Sequence, residues 1–172
     1  MKIRKILTKT LLFFPFYSIV VLIYNFVFYH ADFSLEILLI PFLLSIFTIY
    51  INTLDYNKFN DLPPKEYLES RHTTTVKYSE EAWNICKRYD IHLVNYNAEA
   101  IEYSKDEIEY KIKFDILIGQ LNSILKFKHR NDKIEISIEK QYITFLPDRG
   151  VNFKIIRQAR KKLKFYTEYG LN

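Results

Sequence analysis

Residues 11–51 carry only two charged side chains, Asp32 and Glu36, and they divide into two apolar runs. Residues 11–29 read LLFFPFYSIVVLIYNFVFY, and residues 35–51 read LEILLIPFLLSIFTIYI. Crossing the hydrocarbon core of a bilayer takes about 20 apolar residues in a helix, and about 17 suffice. Both runs meet that length. Residues 30–34 between them are too few for anything but a tight reversal, so the sequence predicts an antiparallel transmembrane hairpin over residues 1–52. A cleaved signal peptide is the rival reading of the first run. It fits less well, because the run is longer than the roughly 7–15 apolar residues of such a segment and no A-x-A-like site follows.

The flanks give an orientation. Lys2, Arg4, Lys5 and Lys9 precede the first run, the short reversal has no Lys or Arg, and Lys58, Lys65 and Arg71 follow the second run. By the positive-inside rule both ends of the hairpin, and the soluble domain after it, are expected on the cytoplasmic side of the cell (inner) membrane. Polar groups inside the spans are Ser18, Asn25, Glu36, Ser45 and Thr48. Asn25 is the candidate for an intramembrane helix contact, within the hairpin or between copies, because a mid-span amide gains from a hydrogen bond to a neighbour. Glu36 falls at a helix entrance, where a carboxylate reaches headgroups and faces the positive end of the helix. Pro15 and Pro41 are expected to kink their helices.

The mean hydropathy of −0.12 averages two unlike parts. Lys2, Arg4, Lys5, Lys9, Asp32 and Glu36 account for +2 of the net charge of +5, leaving +3 for everything after residue 52. That near-balance argues against a dedicated nucleic-acid binder. One cysteine, Cys86, excludes an intramolecular disulfide. Only three glycines occur and none precedes Gly119, so no Gly-rich phosphate loop fits anywhere in the chain.

Residues 53–72 read as a linker, polar at first and stiffened by Pro63-Pro64. Residues 73–172 read as a cytoplasmic α+β domain. A first strand is expected over 73–78. A helix should follow, capped by Ser79 with Glu80 and Glu81 in its first turn, running to about Tyr89. Two short strands over 91–96 and 100–103 are expected around a turn at Asn97-Ala98-Glu99. Residues 107–116 alternate cleanly: Ile108, Tyr110, Ile112, Phe114 and Ile116 on one face, Glu107, Glu109, Lys111, Lys113 and Asp115 on the other. Strands over 121–130 and 133–140 follow, joined at Asn131-Asp132. After a turn at Pro147-Asp148-Arg149-Gly150, a long helix over 151–166 gathers Asn152, Ile155, Ile156, Ala159, Leu163 and Tyr166 on one side. The expected architecture is strand, helix, antiparallel strands, long helix, with helices covering one face of the sheet.

The other side of that last helix is the strongest functional signal. Lys154, Arg157, Arg160, Lys161 and Lys164 share it, Arg149 lies just before it, and residues 149–167 hold seven basic residues and no acid. Such a surface suits anionic lipid, at about 1 kcal/mol per basic residue near the headgroups, with an acidic protein or nucleic acid as the alternative partners. Solvated basic helix faces are also common. His30, His72, His92, His129 and Cys86 lack zinc-ligand spacing, so no metal or cofactor is expected. No G-x-S-x-G, H-E-x-x-H or P-loop pattern occurs, and no catalytic residue is assigned.

The run Asp148-Arg149-Gly150-Val151-Asn152, followed by Ile156-Arg157, resembles the ending of an uncharacterised bacterial family that reads Asp-x-Gly-Val-Asn before its last helix. The likeness covers about residues 76–163, with 139–146 standing where that family has an Arg- and Ser-rich strand. It implies an α+β domain with strands ahead of the last helix, and it transfers no catalytic residue. Three function classes follow from the sequence. The leading one is a membrane-tethered, non-catalytic domain that binds a partner or lipid through the basic helix. The others are a small membrane effector or toxin-neutralising protein acting through its hairpin as a homo-oligomer, and a membrane enzyme using Glu107 or Glu109.

Overall fold

A computed structural model describes residues 2–29, 35–88, 96–114, 122–142, 144 and 147–169. The chain divides into two compact units, Met1–Leu68 and Glu69–Asn172.

The first unit is a pair of helices, α1 (Lys2–Tyr29) and α2 (Leu39–Tyr56), the second preceded by a 3-10 turn at Leu35–Leu38. Both helices are long and apolar enough to cross a bilayer. They pack together, Phe14 meeting Phe42 edge-on at 6.2 Å and the Tyr17 and Thr48 hydroxyls sharing a hydrogen bond of 2.8 Å. The start of α1 lies by the end of α2, where Lys2 sits over the Tyr67 ring that meets Tyr56. The two helices satisfy several hydroxyls internally. Thr10, Ser18 and Ser45 donate to the carbonyls four residues back, of Ile6, Phe14 and Pro41. Such back-bonding removes the need for water around a hydroxyl in an apolar medium. Pro15 lies inside α1, whereas Pro41 lies in the first turn of α2. A first-turn N–H has no acceptor within the helix, so Pro41 marks a start and not the expected kink.

Residues 57–68 pack back onto this unit, where the sequence suggested a linker over 53–72. Tyr56 and Leu68 are fully buried, and Tyr67 meets Tyr56 edge-on at 5.8 Å. Lys2 sits over the Tyr67 ring at 4.8 Å, and Lys5 donates to the carbonyls of Lys65 and Tyr67. Burial pushes the Tyr67 phenol pKa up. Tyr56 and the adjacent Tyr67-Leu68 stand eleven residues apart with no helical or strand period between them, so this packing left no pattern in the sequence.

The second unit is a five-stranded antiparallel sheet in the order β1-β5-β4-β3-β2, built from β1 (His72–Lys77), β2 (Asn97–Tyr103), β3 (Glu107–Lys113), β4 (Ser123–Arg130) and β5 (Lys133–Lys140). Helix α3 (Glu80–Arg88) joins β1 to the β2–β5 meander, and α4 (Val151–Tyr169) returns to pack on β1, β5 and α3. Register places Val76, Ile134, Ile136, Ile138, Leu125, Phe127, Ile108, Tyr110 and Ile112 on one face, all buried. Each such side chain contributes about 1.5–3 kcal/mol through burial.

Local expectations hold where the chemistry is local. Ser79 Oγ accepts from the Ala82 N–H at 3.1 Å, capping α3, and Asn131 takes φ 53° in the β4–β5 hairpin. The carbonyls at the end of α3 are met from the sheet: Tyr110 donates to Cys86 O at 2.6 Å and Tyr103 to Lys87 O at 3.0 Å. The expected turn at Asn97-Ala98-Glu99 is instead strand. These residues open β2 and pair with β3, Asn97 opposite Lys113 and Glu99 opposite Lys111, and the ladder shifts at a bulge between Ala100 and Glu102. Asn and Ala are poor strand formers, and pairing along an already formed β3 overrides that preference. Residues 30–34 of the expected reversal and 91–95 of the expected strand lie outside the described residues.

Candidate functional site: the basic face of the last helix

The motif at the start of α4 is a structural clamp. The Asp148 carboxylate accepts from the Gly150 N–H at 3.1 Å and the Asn152 N–H at 2.6 Å, satisfying donors that the first helical turn leaves open. Arg149 and Gly150 take φ values of 58° and 73°, the left-handed conformation that brings the chain round onto this cap. Asn152, 1% exposed, accepts from Ser123 Oγ on β4 at 2.9 Å and donates to Ser70 O at 2.7 Å. Ser70 in turn donates to Thr144 O at 2.6 Å, and Lys140 to Pro147 O at 3.0 Å. One buried polar cluster therefore fixes where α4 begins and in which rotation it lies on the sheet. Tyr96 feels it too: burial first, and the Asp148 charge second, push its phenol pKa up.

That rotation decides what α4 presents. Ile155, Ile156, Ala159 and Leu163 are buried, and Tyr166 is half-buried. Lys154, Arg157, Arg160, Lys161 and Lys164 are all exposed, as is Arg149 before the helix. The six residues singled out in the sequence thus share one accessible region. At 100° per residue they form a fan: Arg160 and Lys164 lie on the flank beside β1, with Lys154, Arg157 and Lys161 farther out. Lys164 is drawn to Glu168 one turn on, at 3.3 Å. On the β1 side, Thr75, Lys77, Arg160, Lys164, Thr167 and Glu168 line a cleft of about 300 Å³. Lys77 and Thr75 belong to the first strand of the sheet unit and α4 to its last element, and no spacing rule connects them.

The open face of the sheet has the opposite character. Four ion pairs cross its strands: Glu107 with Lys128 at 2.8 Å, Glu109 with Lys126, Glu99 with Lys113 at 2.7 Å, and Arg130 with Glu135 at 3.1 Å. A hydrogen bond from Lys128 holds the Glu107 carboxyl below its usual range, and one from Lys113 does the same for Glu99. The Glu109 carboxylate raises the Lys126 pKa in return. Carboxylates used as general acids need the reverse shift, so this ladder is built as paired charge.

The remaining reactive side chains are absorbed in packing. Cys86 is buried and its thiol pKa is pushed up by desolvation, the wrong direction for a nucleophile. His129 stacks on Tyr78 at 4.1 Å and lies near Trp83, while buried His72 meets Phe153 edge-on at 5.3 Å. Among the described residues no three His, Cys, Asp or Glu side chains gather in a metal-binding group. Asn25 is half-buried in α1. Comparison with family models, curated proteins and solved structures finds no match to this chain.

Proposed function

We infer that the chain is a non-catalytic, membrane-tethered protein whose α+β domain binds an anionic partner at the cytoplasmic face, either lipid headgroups or an acidic protein, through the basic fan of α4. The observation that carries this reading is the contrast between two charged surfaces of one domain. On the open sheet face Glu107, Glu109, Glu99 and Glu135 each face a basic side chain, while Lys154, Arg160 and Lys161 stand exposed on a helix whose only acid is Glu168. A stripe of one sign reaching solvent attracts the opposite sign over about a Debye length.

Membrane anchoring is supported by the outer surface of the helix pair. Leu12, Phe16, Ile19, Ile23 and Phe26 on α1, and Ile40, Leu43 and Phe47 on α2, are all exposed. Apolar surface on that scale is stable in hydrocarbon and not in water. The cytoplasmic orientation is supported by Lys2 and Lys5, which meet the Lys65 and Tyr67 segment at one end of the hairpin. Basic flanks gathered at one end are what the positive-inside rule expects of a two-span anchor.

The test uses the full chain in phosphatidylcholine nanodiscs, mixed with phosphatidylglycerol liposomes at low and high salt. Co-sedimentation lost at high salt is expected. Reversal of Arg157, Arg160 and Lys161 to Glu together should weaken it by more than about 3 kcal/mol, roughly 100-fold or more, with Trp83 fluorescence unchanged. Undiminished association in that variant rejects the basic fan as the binding surface. An acidic protein recovered by the wild-type chain, but not by the triple variant, assigns the partner as protein.

A further inference from the structure

We propose that the cleft between the sheet edge and α4 is a discrete binding site for a phosphate ester, taking one phosphate group per chain. The inference rests on the basic surface proposed above and narrows it from a diffuse attraction to a site with a stoichiometry.

Three cations from two elements line this cleft at the sheet edge: Lys77 from edge strand β1, and Arg160 and Lys164 from α4. Glu168 also lines it and offsets Lys164 at 3.3 Å, so the cleft keeps a net charge of +2. Among the described residues no ion pair engages Lys77 or Arg160, in contrast to Lys113, Lys126 and Lys128. The Thr167 hydroxyl is committed to the Lys164 carbonyl at 2.8 Å, while Thr75 is exposed on the strand edge with a hydroxyl to donate. A guanidinium fork, an ammonium and a hydroxyl together match a tetrahedral anion with several acceptor oxygens better than they match a planar carboxylate. Val76, only 7% exposed, gives the cleft an apolar wall. At about 300 Å³ the space is at the small end of ligand clefts and suits a glycerophosphate-sized group. The phosphate can come from a lipid headgroup or from a soluble phosphate ester, since both present the same oxygens.

Isothermal titration calorimetry on the full chain in phosphatidylcholine nanodiscs separates the sources. The probes are sn-glycerol 3-phosphate and dihexanoyl phosphatidic acid below its micelle concentration. One saturable site is expected, weakened at least about tenfold by Lys77→Gln and by Arg160→Gln, and unchanged by Lys105→Gln, an exposed lysine outside the cleft and the fan. Equal affinity for the two probes supports the site with a soluble ester as its ligand, and tighter binding of the lipid supports it with a headgroup. The absence of a saturable site, or a Lys77→Gln chain that binds as wild type, overturns the proposal. Liposome association that persists in Lys77→Gln keeps the fan reading alive when the cleft fails. Saturable phosphate binding without liposome association upholds the cleft and removes the fan.

Discussion

The two units of this chain are inverted with respect to each other. In the helix pair the exposed residues are Phe, Leu and Ile, while Lys9, Ser45 and Asn52 are buried. In the sheet unit Ile134, Ile136, Ile138 and Phe127 are buried and the charges face outward. Polar satisfaction differs as well. Asn52 donates to Thr48 O, one turn back in its own helix, whereas Asn152 ties α4 to β4 and to the segment before β1. A helix in an apolar medium has to close its hydrogen bonds within the protein, along itself or onto its neighbour as Tyr17 and Thr48 do, because no water stands in for a missing partner. A sheet domain in water can spend a buried amide on long-range registration, because its hydrophobic burial supplies the stability. The inversion is what the proposed membrane anchor requires of the helix pair.

The comparison can be broken most directly at the exposed surface of α2. Phe47→Arg should reduce insertion by about 3 kcal/mol if Phe47 meets hydrocarbon, seen as chain lost from the alkali-resistant membrane fraction. Unchanged partitioning would mean that the pair is covered by protein. In the other unit, Asn152→Ala strips partners from Ser123 Oγ and Ser70 O, and should cost about 1–3 kcal/mol. Denaturant unfolding followed by Trp83, the single tryptophan and a buried one, reads this loss in the sheet unit alone. A neutral Asn152→Ala would show that α4 is registered by its apolar face without the polar clamp.

The smallest effect concerns the ion-pair ladder. The Glu107 carboxyl is held below its usual pKa by Lys128, so its contribution is present above about pH 5 and is lost as pH falls through the depressed folded value. Glu107→Gln should cost about 0.5 kcal/mol at pH 7 and nothing once the carboxyl is protonated. Lys126, raised chiefly by its bond to Glu109, works the other way: its share is present below about pH 10 and fades as pH rises through the folded value. A Glu107→Gln difference that stays constant from pH 7 to pH 3 would remove the ladder from the account and leave the open face as plain solvated charge.

Much of this was legible before any coordinates. The two apolar runs, the β3 alternation, the Ser79 cap and the sidedness of α4 each depend on neighbours within one or two turns or one strand, so the order of residues determines them. The basic fan belongs to the same class, since Lys154, Arg157, Arg160, Lys161 and Lys164 are placed on one side by helical period alone. Tertiary structure decided the rest. It made Asn97-Ala98-Glu99 an edge strand against its propensity, folded residues 57–68 back onto the helix pair, and turned the Asp148-to-Asn152 run into a clamp between α4, β4 and Ser70. It also brought Lys77 beside Arg160, residues separated by most of the domain. Those outcomes depend on pairing and burial between distant segments, whose free energy appears only once the sheet exists to receive them.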